Sequence, residues 1–204
     1  MIHKLFPYLC KNYVSMEYKN RIADKLLRDK LEAMGAVLIE GPKACGKTTT
    51  AEQQAKSIIY MDDPVKQEQY KQMAQTNIRF LLEGETPRLI DEWQHVPQFW
   101  DAIRFEVDHR DDDGQFMLTG SAVPADMKEI HHTGTGRYGW LTMRPMSLWE
   151  SGESTGEVSL SDLFLTPDRI GALNKLTLPM LAFAACRGGW PKSLQKKTEK
   201  RSEE

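Results

Sequence analysis

Residues 41–48, with the sequence Gly-Pro-Lys-Ala-Cys-Gly-Lys-Thr, constrain the fold of this chain more than any other segment. They match the pattern G-x-x-x-x-G-K-[ST] at every fixed position, between the apolar run at residues 36–39 and a helix-compatible stretch. The glycines allow such a loop to wrap an anion closely, so that its backbone N–H groups point at phosphate oxygens. The pattern therefore predicts a phosphate-binding loop between a buried strand and a helix.

The residues of this loop have distinct predicted roles. Lys47 would reach the β- and γ-phosphates of a bound nucleotide, and the Thr48 hydroxyl would hold Mg²⁺. A helix from about Lys47 to Lys56 would point the positive end of its dipole at the phosphates. Cys45 has no second cysteine or histidine nearby in sequence, so we expect only its backbone to contact phosphate. The predicted nucleotide-binding residues are Gly41, Pro42, Lys43, Ala44, Cys45, Gly46, Lys47, Thr48 and Thr49.

Short apolar runs recur along the chain and alternate with helix-compatible stretches. This alternation predicts βαβ units, and hence an α/β domain with three layers and a mostly parallel sheet. A chain of 204 residues suits one such domain with some extra chain. The first helix would end in a left-handed cap at Gly35. The expected strands are residues 36–39, 58–61, 88–90, 115–118 and 140–143, and the expected helices are 22–34, 47–56, 66–82, 100–107 and 179–186.

Two further segments place polar side chains at predicted strand ends. The strand at 88–90 is followed by Asp91 and Glu92, which would lie at the carboxyl edge of the sheet beside the phosphate loop. Asp91 is predicted to position Mg²⁺, and Glu92 to polarise the water that attacks the γ-phosphate. Thr119, with Ser121 as the second choice, is the candidate catalytic residue that senses the γ-phosphate or the attacking water. The alternative for both segments is an ordinary strand end followed by a turn.

Arg137 follows a stretch that contains Gly134 and Gly136. Its guanidinium is always charged and offers paired donors, which makes it a candidate catalytic residue for a transferring phosphoryl group, within one chain or across a subunit boundary. A surface arginine, or a salt bridge to the acidic turn at 111–113, is the alternative. The neighbouring pair at 131–132, two adjacent histidines, points in different directions and does not predict a zinc site.

Charge and composition limit the classes of partner. Lys and Arg number 27 against 29 Asp and Glu, a formal net charge of −2, so composition supports neither nucleic-acid nor membrane binding. Three cysteines without C-x-x-C spacing argue against a disulfide framework and predict a cytoplasmic location. No apolar run reaches the roughly 18 residues that a membrane helix needs.

Together these segments resemble the prokaryotic AAA-type ATP-binding proteins, in which a P-loop domain precedes a carboxyl-terminal domain of unknown function. The resemblance implies a five-stranded core in the order 5-1-4-3-2, with the Asp91 strand not adjacent to the phosphate-loop strand. It also implies ATP rather than GTP, and no N-K-x-D signature for guanine is present. In such proteins the segment at 188–191 lies near the start of the second domain. The resemblance covers about residues 16–191 and rests on 21–24, 41–48, 89–94, 118–121, 134–137 and 145–150.

The expected function is Mg²⁺-dependent ATP binding with slow hydrolysis that drives a conformational switch. A protein partner and oligomer formation stay open, and two alternatives remain. One is a nucleotide-gated interaction module with little turnover, and the other is a small-molecule kinase, for which Arg137 and Arg144 are the near candidates for lid arginines. The expected organisation is an amino-terminal extension (1–15), an ATPase domain (16–150), a linker with the start of a truncated second domain and its short helices (151–191), and a disordered charged tail (192–204).

Overall fold

A computed structural model describes residues 18–110, 112–120, 135–166, 168, 171–173 and 175–195. In these ranges five strands form one sheet, and helices pack on both of its faces. The strands are β1 (Ala36–Glu40), β2 (Ser57–Tyr60), β3 (Arg88–Asp91), β4 (Phe116–Thr119) and β5 (Tyr138–Thr142). The α-helices are α1 (Ile22–Leu31), α2 (Lys47–Glu52), α3 (Gln67–Asn77), α4 (Arg79–Leu82), α5 (Phe99–His109), α6 (Leu148–Ser151), α7 (Leu160–Leu165) and α8 (Leu178–Arg187), with 3₁₀ turns at Trp93–His95 and Ser193–Gln195.

The order of the strands is β2-β3-β4-β1-β5, and every pair is parallel. Counted from the β5 edge this is 5-1-4-3-2, so the prediction is confirmed. β4 lies between β1 and β3, and Thr119 is in register with Ile39 on one side and Asp91 on the other. The strand that precedes the phosphate loop is therefore separated from the Asp91 strand by the strand that carries Thr119.

The strands are buried on both faces, which explains their continuous apolar sequences. Along β1 the side chains alternate between two cores, because successive residues of a strand point to opposite faces. Ala36 and Leu38 pack with α5 in one core, whereas Val37 and Ile39 pack with α1 and α2 in the other. This arrangement is the predicted three-layer α/β fold. Within the described part of the chain, no helix combines the length and the apolar character that crossing a bilayer requires.

The end of α1 differs from its prediction. α1 ends at Leu31, and Glu32 has right-handed backbone angles (φ −73°, ψ −16°), so Gly35 is not a left-handed helix cap. A glycine is needed there for a different reason, because a Cβ at Gly35 would lie 2.3 Å from Cγ1 of Val107 on α5. The helix also buries a narrower face than its apolar pattern indicates. Ala23, Leu27 and Leu31 are buried, whereas Ile22 and Leu26 are exposed.

Some predictions concern residues outside the described ranges. These are the amino-terminal extension at 1–15, Ser121, the histidine pair at 131–132, Gly134 and the chain beyond Gln195.

Candidate functional site

The phosphate loop folds around the ammonium group of Lys47. This side chain is buried, and its Nζ donates to the carbonyl oxygens of Gly41 at 2.9 Å and Pro42 at 3.1 Å. Gly41 has a φ of 146°, and a Cβ there would lie 2.2 Å from the carbonyl oxygen of Met143, just after β5. The loop therefore holds its lysine at its centre, and its first glycine is required by the close approach of a neighbouring strand.

The loop leads into α2 through Gly46, whose φ of 103° lies in the left-handed region. The helix begins at Lys47, as predicted, but it ends at Glu52 rather than near Lys56. Its six residues make less than two turns. The predicted dipole of a ten-residue helix is therefore an overestimate, and the contribution of the loop backbone and Lys47 is correspondingly larger. Thr49 lies in the first turn of α2 and is exposed.

Asp91 and two threonine hydroxyls meet at the carboxyl edge of the sheet. The Thr48 hydroxyl donates to Oδ1 of Asp91 at 2.7 Å, and the Thr119 hydroxyl donates to the same oxygen. Asp91 is buried, and this burial raises its pKa, while the two hydrogen bonds oppose the shift and the nearby charge of Glu92 adds to it. A cation beside this carboxylate would favour its ionised form.

These oxygen atoms fit a magnesium site. Mg²⁺ prefers hard oxygen ligands, and it usually combines one or two carboxylates with substrate phosphates and water. Thr48 and Asp91 supply a hydroxyl and a carboxylate oxygen close together. Among the residues that the structure describes, no group of three or more His, Cys, Asp or Glu side chains could hold a metal ion. A cation here would therefore depend on phosphate oxygens for part of its coordination.

Glu92 lies at the same edge, immediately after β3. Its backbone is left-handed (φ 53°, ψ 45°), a conformation that is uncommon for a residue other than glycine. The chain turns there into the 3₁₀ segment Trp93–His95, and Nε2 of Gln94 donates to Oε2 of Glu92. Residues held in such backbone conformations cluster at functional sites. The sequence predicted a role for Glu92 but none for Gln94.

Arg21 is a site residue to which sequence reasoning assigned no role. It is buried, and its guanidinium donates to the carbonyl oxygens of Cys45 at 2.9 Å and Arg144 at 2.7 Å. Its Nε also donates to Oε1 of Glu150 at 2.9 Å. Arg21 and Glu150 belong to two of the segments that carry the family resemblance, which was the available signal. The guanidinium therefore connects the phosphate loop with residues 144–150, which follow β5.

A second unassigned contact reaches the loop from the segment at 188–191. The indole N–H of Trp190 donates to the carbonyl oxygen of Lys43 at 3.0 Å. Gly189 holds this segment in place, because its carbonyl accepts from the N–H of Met146 at 2.7 Å and a Cβ there would lie 2.1 Å from the Met146 oxygen. The residues that were expected to begin a second domain therefore contact the phosphate loop directly.

The structure does not bring Arg137 to the phosphate loop of its own chain. Arg137 precedes β5 at the amino edge of the sheet, where its carbonyl accepts from the N–H of Ala36 at 3.1 Å. Five strand residues, roughly 16 Å, separate this edge from the loop. Its Nε pairs with Asp108 of α5 at 2.7 Å, and the acidic turn of the alternative begins at residue 111, outside the described residues. Arg137 thus lies at the opposite edge of the sheet from the phosphate loop of its own chain, and its catalytic role stays a prediction.

Comparisons with known proteins place this site in a family. A family model described as an AAA domain matches residues 34–151, more than half of the chain and including the phosphate loop, Asp91 and Thr119. No curated protein matches the chain. Among solved structures it is similar to PCH-2 of C. elegans, at 16% identity and a TM-score of 0.42, over 84% of this chain and 58% of that chain. The chain belongs to the AAA-domain family.

Proposed function

We propose that the chain binds ATP with Mg²⁺ at the phosphate loop and hydrolyses it slowly to drive a conformational switch. The observation that carries the proposal is the 2.7 Å contact between the Thr48 hydroxyl and the Asp91 carboxylate beside the buried Lys47. These three groups come from a loop and from a strand two positions away in the sheet. The fold brings these three side chains close together, which supports the proposed roles of Thr48 and Asp91 as cation ligands and of Lys47 as the phosphate-binding ammonium.

Each side chain of the site has one proposed task. Lys47 has three donors, of which two bind loop carbonyls, so a further N–H remains for a phosphate oxygen. Thr48 and Asp91 would hold Mg²⁺, which neutralises part of the phosphate charge. Glu92 would accept a proton from the attacking water. Thr119 would sense the γ-phosphate or the attacking water, because its hydroxyl donates to the same Asp91 oxygen as the Thr48 hydroxyl.

Two features support a switch. Arg21 and Trp190 connect the loop to residues 144–150 and 188–191. A change in the conformation of the loop would therefore shift the hydrogen-bond partners in both segments. The helices beyond the sheet also expose large apolar side chains, which is uncommon without a partner surface. Their exposed fractions are 72% for Leu160, 79% for Phe164, 76% for Leu165 and 82% for Leu178. We propose that residues 151–191 transmit the nucleotide state to a protein partner.

The same exposed side chains favour the interaction module as the second candidate. That protein would bind ATP and present this surface with little turnover. The kinase is less well supported, since one of its two candidate lid arginines, Arg137, lies at the opposite edge of the sheet. Arg137 can assist phosphoryl transfer only at the site of another copy. Turnover per chain would then rise with protein concentration.

The test combines calorimetric binding of ATP–Mg²⁺ with a phosphate-release assay. Lys47→Ala removes a charge-assisted bond of about 1.5–3 kcal/mol, so we expect affinity to fall roughly 10- to 150-fold. Lys56→Ala is the matched control, because Lys56 is exposed and lies beyond α2. Glu92→Gln should retain binding and slow phosphate release about 10²- to 10⁴-fold.

The possible outcomes separate the candidates. Equal affinities for the Lys47→Ala and Lys56→Ala proteins would contradict nucleotide binding at the loop. Binding by the wild type without phosphate release would favour the interaction module. Transfer of phosphate to an acceptor rather than to water would favour the kinase.

A further inference from the structure

Gln94 links the carboxyl ends of β3 and β4. Its Nε2 donates to Oε2 of Glu92. Its Oε1 is buried, has no hydrogen-bond partner among the described residues, and faces Gly120, where a Cβ would lie only 2.5 Å away. An ionised carboxylate can only accept hydrogen bonds, so the amide nitrogen must face Glu92 and the amide oxygen must face Gly120.

The surrounding backbone fixes this arrangement. Glu92 is left-handed, and the N–H of His95 donates to the Glu92 carbonyl at 3.1 Å, which closes the 3₁₀ turn that carries Gln94. Trp93, between them, is buried in the core of the α5 face. The 3₁₀ turn and the buried Trp93 side chain therefore fix the backbone position from which Gln94 reaches the carboxylate.

The unsatisfied oxygen makes a purely structural role a poor explanation. A buried acceptor without a partner destabilises the folded state, and such groups are uncommon. An apolar side chain in this position would avoid that cost. The amide is instead oriented by the carboxylate that the proposed function assigns to water activation.

We propose that Gln94 is a positioning residue that fixes the Glu92 carboxylate for its encounter with the attacking water. The amide holds Oε2 and restricts the rotamers of Glu92, and Gly120 provides the space that the amide requires. This inference rests on the proposed ATP hydrolysis. It assigns Gln94 no contact with nucleotide, so its loss should affect the rate of the chemical step and not the binding of ATP.

The primary experiment measures kcat, KM, ATP affinity and Tm for Gln94→Ala, Glu92→Gln and the double variant. Small errors in the position of a reacting group can lower rates up to about 10²-fold, so we expect kcat of Gln94→Ala to fall roughly 10- to 100-fold. ATP affinity and Tm should stay close to those of the wild type. In single-turnover assays the double variant should be no slower than Glu92→Gln alone, because Gln94 acts only through that carboxylate. Gln98→Ala is the matched control, since Gln98 is an exposed glutamine four residues along.

A second variant, Gly120→Ala, displaces the amide oxygen of Gln94 instead of removing the side chain. The φ of Gly120 is not left-handed, so alanine fits its backbone, and the new Cβ would displace only the end of the Gln94 side chain. Gly120→Ala should therefore fold and should lower kcat as Gln94→Ala does. The effects of the two substitutions should not add. Gly171→Ala is its control, because no atom lies within 4 Å of a Cβ there.

Several results would overturn the inference. They are an unchanged or raised kcat in Gln94→Ala, a loss of ATP affinity that accounts for the slower rate, or fully additive effects with Glu92→Gln. If the wild type hydrolyses ATP and Gln94→Ala equals it, only this inference fails. If the wild type binds ATP without hydrolysing it, the proposed function and this inference fail together.

Discussion

Replacing Arg21 with alanine should be among the most damaging single changes in this chain. The guanidinium is buried and makes three hydrogen bonds, to the carbonyl oxygens of Cys45 and Arg144 and to the Glu150 carboxylate. In the ion pair with Glu150, the side chains of the two partners are only 5% and 6% exposed. Removing the arginine leaves the buried carboxylate without its counter-charge and removes the donor from two carbonyl oxygens.

The size of the effect follows from these contacts. Breaking a buried ion pair by removing one partner costs about 3–5 kcal/mol, and the unpaired carbonyls place Arg21→Ala toward the upper end. Proteins of this size unfold with a total of about 5–15 kcal/mol, so the loss is a large share of the stability. At about 2–4 °C per kcal/mol, a loss of about 5 kcal/mol should lower Tm by about 10–20 °C. Arg21→Lys keeps the charge but not the planar three-way geometry, so it should lose less.

Urea unfolding and thermal melts would measure this loss. The control is Arg79→Ala, which removes an arginine whose side chain is 59% exposed and whose ion pair with Glu106 is 3.5 Å long. Glu106 keeps its closer pair with Arg110 at 2.9 Å when Arg79 is removed. We expect the control to change the free energy of unfolding by about 1 kcal/mol or less. If Arg21→Ala and Arg79→Ala destabilise the protein equally, the reasoning from burial and hydrogen bonding is refuted.

Four further predictions follow from the site and its surroundings. Asp91→Asn should weaken the dependence of ATP affinity on Mg²⁺, measured by titrating the cation; an unchanged dependence would remove Asp91 from the cation site. Burial acts to raise the pKa of Glu150, but hydrogen bonds from backbone N–H groups and from Arg21 outweigh burial and lower this pKa below its ordinary value of 4.5. The ionised carboxylate therefore stabilises the folded protein above pH 4.5, and this stabilisation is lost as the pH falls through the lowered pKa. In Glu150→Gln the free energy of unfolding should therefore fall less steeply below about pH 4.5. The same pH dependence in the variant and the wild type, measured by urea unfolding, would contradict this. Trp190→Phe loses the bond to the loop, so the change in tryptophan fluorescence on adding ATP–Mg²⁺ should shrink relative to the wild type; an equal change would show that Trp190 does not follow the loop. Arg137→Ala should leave turnover unchanged in dilute protein, and a loss there would contradict its position at the far edge of the sheet.

The fold was predictable because its signals are local. The phosphate-loop pattern fixes a strand, a turn and a helix within the 17 residues from Ala36 to Glu52, and buried parallel strands leave continuous apolar runs. The position of Asp91 at a strand end was likewise a local inference. The strand order came from the family resemblance, since no local pattern specifies which strands become neighbours. That order then sets Thr119 beside Asp91 through the register of β3 and β4.

The contacts that hold the loop were not predictable from spacing. Arg21 and Glu150 are 129 residues apart, and Trp190 is 147 residues from Lys43. A lone arginine before a helix is usually a solvated side chain, and only the folded chain shows that this one is buried. Gln94 was missed for a similar reason, because its partners meet only where two strands end side by side. The position of Arg137 was not predictable either, because glycines beside an arginine do not specify the edge of the sheet on which it lies.

Among the described residues, the side chains that hydrogen-bond to the backbone carbonyls of the phosphate loop share one chemical character. Arg21, Lys47 and Trp190 all donate to carbonyl oxygens of the loop. Each donation offsets part of the negative charge of a carbonyl oxygen, which would otherwise repel a phosphate. Two of the three donors also carry a full positive charge. Arg21 and Trp190 therefore act on the loop in the same way, and residues 144–150 hold Arg21 in place by accepting its other hydrogen bonds. The capacity to bind phosphate thus depends on the folded chain and not on the eight-residue motif alone.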